Sequence, residues 1–85
     1  MKLLTKKYDD KLLMRQAERI LASDPNVDHS SISVNSHKGV VTISGSVKND
    51  FEQHHILEAI RRGYGKFGLQ QAEIVDEIVV RRQGK

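Results

Sequence analysis

The sequence of 85 residues contains no cysteine, no tryptophan, one proline, two tyrosines and two phenylalanines. The absence of cysteine excludes a disulfide scaffold and any zinc or iron–sulfur site that needs thiolate ligands. No apolar run approaches the roughly 18–20 residues that a membrane-spanning helix requires. The chain is long enough for one small domain and no more, because typical domains contain roughly 100–150 residues.

The first ten residues also lack the apolar segment of a secretory signal peptide, since lysines and aspartates interrupt them. We therefore expect a cytoplasmic location for the chain as given. If it is an excised or mature fragment of an exported protein, we expect a periplasmic or envelope location instead.

The net charge of +3 is unevenly distributed along the chain. Residues 1–8 carry three lysines, residues 9–60 carry five basic and eight acidic side chains, and residues 61–85 carry six basic and three acidic ones. The basic excess therefore lies at the two ends of a slightly acidic body. Such an excess favours anionic partners such as lipid headgroups or nucleic acid, although a net charge of this size is also ordinary for a solvated protein surface.

Apolar periodicity predicts the first three elements of secondary structure. Apolar residues at helical spacing predict an amphipathic helix over roughly residues 9–22. The helix ends before Pro25, because the residue before a proline is kept out of the helical conformation. Alternating apolar residues then predict a β-hairpin with one buried face and a glycine-containing turn at residues 37–39. Gly45 in the second strand indicates a bulge or a close approach of another backbone segment.

A second helix and a third strand complete the predicted fold. Asn49 is a suitable N-cap, and Glu52 three residues later gives a pattern like a capping box. We expect the helix to end at about residue 62, before two glycines, and residues 73–81 to form a strand because they are rich in β-branched residues. The order α-β-β-α-β predicts an α+β fold, with both helices on one face of a three-stranded mixed sheet.

The hairpin resembles the signature of the BON domain (bacterial OsmY and nodulation) family. The family's hairpin follows the loose pattern I-x-V-x-x-x-x-G-x-V-x-L-x-G-x-V, whose positions are occupied here by Ile32, Val34, Gly39, Val41, Ile43, Gly45 and Val47. The first helix and the last strand are also similar to those of the family, so the resemblance covers about residues 9–81. It divides the chain into a basic tail (1–8), a single BON-like domain (9–82) and a C-terminal tail (83–85).

This resemblance implies a non-catalytic binding module that needs no cofactor. The family is associated with anionic phospholipids, envelope integrity and osmotic stress, so the expected partner is an anionic membrane surface or another envelope or stress-response protein. Basic and aromatic residues also alternate in one segment of this chain, as suits a membrane interface. We predict that the residues binding the anion or lipid are Arg61, Arg62, Tyr64, Lys66 and Phe67.

Two other interpretations of the sequence stay open. The stretch Gly65–Gly68 has the G-x-x-G form with which KH domains clamp a nucleic-acid backbone, so RNA or DNA binding is one alternative. A protein-interaction or oligomerisation module is the other, because neither edge strand of the predicted sheet carries a proline that would prevent strand pairing between copies. We expect no enzyme activity and no metal site, since no nucleophile has a base and an orienting group beside it and the four histidines lack ligand spacing.

Overall fold

The computed structural model describes residues 8–81. Its helices and strands are α1 (Asp10–Ala22), β1 (Ile32–His37), β2 (Val40–Val47), α2 (Asp50–Lys66) and β3 (Glu73–Val80), with a short 3-10 turn (His29–Ser31) before β1. The predicted α-β-β-α-β order and α+β class are confirmed. Apart from Tyr8, the tails predicted at residues 1–8 and 83–85 lie outside the described residues.

β2 is the central strand of the sheet. It pairs antiparallel with β1 and parallel with β3, as expected for a strand that follows a crossover helix. α1 packs over β1 and β2, and α2 packs over β2 and β3. The core between the helices and the sheet consists of Leu13, Ala17, Leu21, Val27, Val41, Ile43, Val47, Ile56, Ile60, Tyr64, Leu69 and Ile78. Since successive side chains of a strand point to opposite faces, residues such as Ser33, Thr42 and Ser44 lie on the face away from the helices.

The turn between β1 and β2 is held by the first residue of α1. Lys38 and Gly39 both have positive φ, 53° and 84°, as a type I′ turn requires. The Asp10 carboxylate accepts hydrogen bonds from the Ser36 hydroxyl (2.7 Å) and from the backbone N–H of Gly39 (2.9 Å) and of Lys38 (3.0 Å). These bonds, the one from Ser36 foremost, lower the pKa of Asp10. α1 is thereby fixed to the hairpin at one end.

Gly45 is a position that no residue with a side chain fills without strain. Its φ is 128°, and a Cβ atom added there would overlap the backbone carbonyl oxygen of Ser31. The close backbone approach predicted from the glycine is confirmed. The strand therefore needs glycine for both the conformation and the space.

α2 is about one turn longer than predicted, and its expected end near residue 62 is wrong. Gly63 lies inside the helix, where a Cβ atom would overlap the side chain of Ile20 in α1. The glycine that was expected to stop the helix instead lets α1 and α2 approach each other. Packing of this kind outweighs the intrinsic cost of a helical glycine, which is about 1 kcal/mol relative to alanine.

Gly68, which directly follows the C-cap of α2, has a φ of 76°. The N–H of Gly68 donates to the carbonyl oxygen of Gly65 (3.3 Å), and the N–H of Leu69 donates to the carbonyl oxygen of Tyr64 (2.8 Å). This is the hydrogen-bond pattern of a Schellman motif, and the buried side chains of Leu69 and Tyr64 supply the apolar contact that accompanies it. Gly68 is therefore the glycine that stops the helix.

Candidate functional site

The structure does not place all five predicted binding residues on one surface. Tyr64 faces the core and is 1% exposed. Its hydroxyl donates a hydrogen bond of 2.7 Å to the backbone carbonyl oxygen of Leu13 in α1, and burial raises the pKa of Tyr64 to about 12. Tyr64 therefore joins the two helices, and its predicted place on a binding surface is corrected.

The two adjacent arginines lie on different sides of α2. Consecutive residues of an α-helix point about 100° apart. Arg61 borders a hollow toward β3, together with Tyr64, Gln70, Ala72 and Ile74. Arg62 lies on the side of α2 that faces the end of α1. The structure therefore separates Arg61 from Arg62, Lys66 and Phe67.

The remaining three predicted residues, Arg62, Lys66 and Phe67, line one groove of about 370 Å³ between α2 and the end of α1. We call it the helix-end groove. Phe67 is 57% exposed, and the Arg62 side chain is 65% exposed. The other residues that line the groove are Ile20, Ser23, Asp24, Pro25, Ala59 and Gly63.

The helix-end groove also contains an acidic residue. Asp24 accepts a hydrogen bond from the backbone N–H of Asn26 (2.9 Å), and its other carboxylate oxygen lies 2.7 Å from Nε2 of His55. The bond from Asn26 foremost, and then the one from His55, lowers the pKa of Asp24. The carboxylate is therefore negative at neutral pH, and it ties the end of α1 to α2 beside the cationic residues.

The glutamate beside Arg62 forms only a weak ion pair with it. The Glu58 carboxylate lies 3.6 Å from the Arg62 guanidinium, one helical turn away, and both side chains are well exposed. Ion pairs of this kind contribute about 1 kcal/mol or less. The Arg62 side chain can therefore leave Glu58 for a stronger anion at small cost.

Sequence reasoning missed the half of the groove that α1 contributes, because nothing local to α2 indicates where α1 crosses it. Gly63 is the one signal in α2 that could have indicated the crossing, since a small residue within an apolar helical pattern allows close contact between helices.

The structure also exposes a second aromatic residue, for which the sequence predicted no binding role. Phe51, in the first turn of α2, is 77% exposed and stacks on the His55 ring at a centroid distance of 6.3 Å.

The stretch Gly65–Gly68 does not form the loop that the nucleic-acid alternative needs. Gly65 and Lys66 are the last residues of α2, and Phe67 is its C-cap. KH domains hold their G-x-x-G loop between two helices, whereas the next element after α2 in the described chain is a strand. The geometry gives that alternative no support.

The histidines contact different partners or lie in different elements, and the two adjacent ones in α2 point about 100° apart. His54 is 3.6 Å from Glu58, His55 bonds Asp24, and His29 and His37 lie at opposite ends of β1. Among residues 8–81, no three histidine, aspartate or glutamate side chains are placed to hold a metal ion. No helix in the same part of the chain has the length and apolar character needed to cross a membrane.

Most of the described residues match the model of a known protein family. A family model described as BON domain matches residues 9–66, from the residue before α1 to the last residue of α2. The match includes both helices, the hairpin, and Arg62 and Lys66 of the helix-end groove. No curated protein matches the chain.

Proposed function

Because the chain belongs to the BON domain family, whose domains are small non-catalytic binding modules, we propose that it binds anionic phospholipid surfaces through the helix-end groove. The observation that carries this proposal is the convergence of Arg62, Lys66 and Phe67 on one groove.

The two cations are arranged to act together on a negatively charged surface. Arg62 and Lys66 are one helical turn apart, so their side chains are neighbours on the same side of α2. Both are exposed. A cation close to an anionic membrane surface contributes roughly 1 kcal/mol, so the pair supports reversible binding that weakens as salt increases.

The aromatic residue supplies an apolar contact beside those charges. Phe67 is the C-cap of α2, and the hydrogen bonds of Gly68 and Leu69 hold the backbone that carries it. Pro25, Ile20 and Ala59 line the adjacent groove. Exposed aromatic rings at the level of lipid headgroups are a common feature of membrane contacts.

Co-sedimentation of the full chain with vesicles tests the proposal. We expect binding to vesicles that contain phosphatidylglycerol and none to vesicles of phosphatidylcholine alone. Arg62→Glu/Lys66→Glu should weaken binding by more than about tenfold, because it removes two contributions of roughly 1 kcal/mol each. The matched control is Lys11→Glu/Lys48→Glu, which makes the same change of charge at exposed positions outside the groove.

Two results would contradict the proposal. Equal losses in the two double variants would show that net charge, rather than the groove, attracts the protein. The absence of binding to either kind of vesicle would remove the lipid ligand altogether and leave a protein partner as the expected target of the family's binding function.

A further inference from the structure

β1 forms one edge of the sheet, and every second residue of this strand directs its backbone polar groups away from β2. His37 and Val40 flank the two-residue turn and are register partners, so they form a hydrogen-bonded pair. Hydrogen-bonded pairs recur at every second position of an antiparallel ladder. The N–H and C=O groups of Ile32, Val34 and Ser36 therefore point outward from the edge.

One of these outward groups is already used within the chain. The N–H of Ile32 donates to the carbonyl oxygen of His29. Among the described residues, no backbone hydrogen bond outside the sheet involves Val34 or the backbone of Ser36. The edge thus offers the carbonyl of Ile32 and both backbone groups of Val34 and of Ser36.

The two edges of the sheet differ in charge. β3 carries Glu73, Asp76 and Glu77, whereas β1 contains no acidic or lysine or arginine residue. Charged side chains and prolines normally protect a free edge from pairing with another copy. Two copies of β3 would bring carboxylates together, but two copies of β1 would not.

We propose that two copies of this chain associate by antiparallel pairing of their β1 edges, with the two-fold axis at Val34. Each Val34 then exchanges both backbone hydrogen bonds with the same residue of the second copy, and each Ser36 N–H donates to the Ile32 carbonyl of the other copy. Apart from the Ser36 carbonyl, which would lie opposite the occupied N–H of Ile32, the unused groups of β1 complement themselves in this register. Such two-fold closure is the commonest symmetry of soluble oligomers.

The surroundings of the edge have room for an added strand. A hollow of about 450 Å³ lies between α1 and β1, and its apolar lining includes Leu21, Ile32 and Val34. Strand addition would cover these half-exposed apolar side chains of β1 with those of the second copy. The hollow shares no lining residue with the helix-end groove, so pairing leaves the proposed lipid site free.

Sedimentation equilibrium of the full chain at increasing concentration tests the pairing. We expect the mass to rise from 9.6 kDa toward twice that value. In the proposed register Ser33 lies opposite Asn35 of the second copy, and both are exposed. Ser33→Glu/Asn35→Glu should therefore raise the dimer dissociation constant at least about tenfold, whereas Ser33→Lys/Asn35→Glu should restore the dimer because opposite charges then face each other.

Ser44→Lys is the matched control, since Ser44 lies on the central strand and not at the edge. Its side chain is on the open face of the sheet, the face away from the helices. It should leave the dimer intact, and far-ultraviolet circular dichroism of each variant should show that it is folded. A chain that stays monomeric at every concentration would overturn the inference. So would equal dimerisation of the two double variants, or loss of the dimer in Ser44→Lys, which would indicate pairing through the open face.

Disulfide formation gives an independent reading of the register, because the natural chain has no cysteine. Residues of a hydrogen-bonded antiparallel pair have Cα atoms about 5.5 Å apart, within the range that a disulfide spans. Under mild oxidation Val34→Cys should form a covalent dimer much faster than Asn35→Cys, which lies opposite Ser33. Faster linking of Asn35→Cys would exclude the two-fold axis at Val34.

Discussion

Tyr64 and Phe67 lie three residues apart at the same end of α2 and belong to the same class of side chain, but their surroundings are opposite. Tyr64 is 1% exposed and bonded to α1, whereas Phe67 is 57% exposed beside two cations. The same division applies to two glycines, since Gly63 contacts α1 and Gly65 faces open space. The position at which α1 crosses the C-terminal end of α2 thus determines which residues there stabilise the fold and which are free to bind a ligand.

The largest expected effect separates the two aromatic residues. Tyr64→Ala should lower the free energy of unfolding by about 3–5 kcal/mol, because it leaves a cavity between the helices and the sheet. Phe67→Ala should change it by less than about 0.5 kcal/mol, as surface substitutions usually do. Chemical denaturation of both variants measures the difference. Similar losses of stability would show that Phe67 also belongs to the core.

The two glycines should respond to the same substitution in opposite directions. Gly65→Ala should stabilise the protein by about 0.5–1 kcal/mol, since alanine is the better helix former and its methyl group meets no neighbour. Gly63→Ala should destabilise it by about 1 kcal/mol, because the methyl group overlaps the end of the Ile20 side chain. Thermal or chemical denaturation gives both values.

Ile20→Ala provides the control for the glycine at the crossing, since it removes both atoms that the new methyl group would overlap, Cδ1 and Cγ1. In the Ile20→Ala background, Gly63→Ala should cost less than it does in the natural chain. An equal cost in both backgrounds would indicate that the effect of Gly63 does not come from contact with α1.

The smallest expected effect concerns Asp24, the acidic residue of the helix-end groove. Asp24→Asn removes a negative charge from the helix-end groove, so it should strengthen binding to anionic vesicles by a few fold at neutral pH. It should also reduce stability, because the bonds from Asn26 and His55 favour the ionised carboxylate. Vesicle co-sedimentation and denaturation at pH 7 measure the two changes, and weaker vesicle binding by a folded variant would contradict the account.

The pH dependence of this stability difference has a definite sign. The pKa of Asp24 in the folded protein lies below its ordinary value of 3.8, so the carboxylate's contribution is fully present above the ordinary value and is lost as the pH falls through the folded value. The natural chain and Asp24→Asn should therefore differ most near neutrality and converge in strong acid. A difference that grows on acidification would be incompatible with the hydrogen bonds described.

Local sequence signals predicted those parts of the fold that local contacts determine. Asn49 accepts a hydrogen bond from the Glu52 N–H at 2.8 Å, as the capping pattern indicates, although the Glu52 carboxylate bonds the N–H of Lys48 and not that of Asn49. The hairpin turn and the close backbone approach at Gly45 were also predictable from local sequence. Few residues other than glycine fit a positive φ within an alternating apolar pattern.

The end of α2 and the true members of the site were less predictable, because both depend on contacts with α1. Gly63 follows the rule for a helix end in the sequence, but Ile20 and Leu13, more than forty residues earlier, keep this turn helical. The 100° between successive residues could have separated Arg61 from Arg62. Nothing in the sequence of α2, however, indicates that Pro25 lies across the groove from Lys66.

The most direct test of the central claim uses the absence of tryptophan from the chain. Phe67→Trp places the only tryptophan of the chain in the helix-end groove, and Phe51→Trp places it at the other end of α2, where the natural side chain is 77% exposed. On adding phosphatidylglycerol vesicles, we expect a blue shift of the tryptophan emission for Phe67→Trp, quenching of that emission by brominated lipid, and no change for Phe51→Trp. A shift for Phe51→Trp alone, or for neither variant, would contradict this expectation.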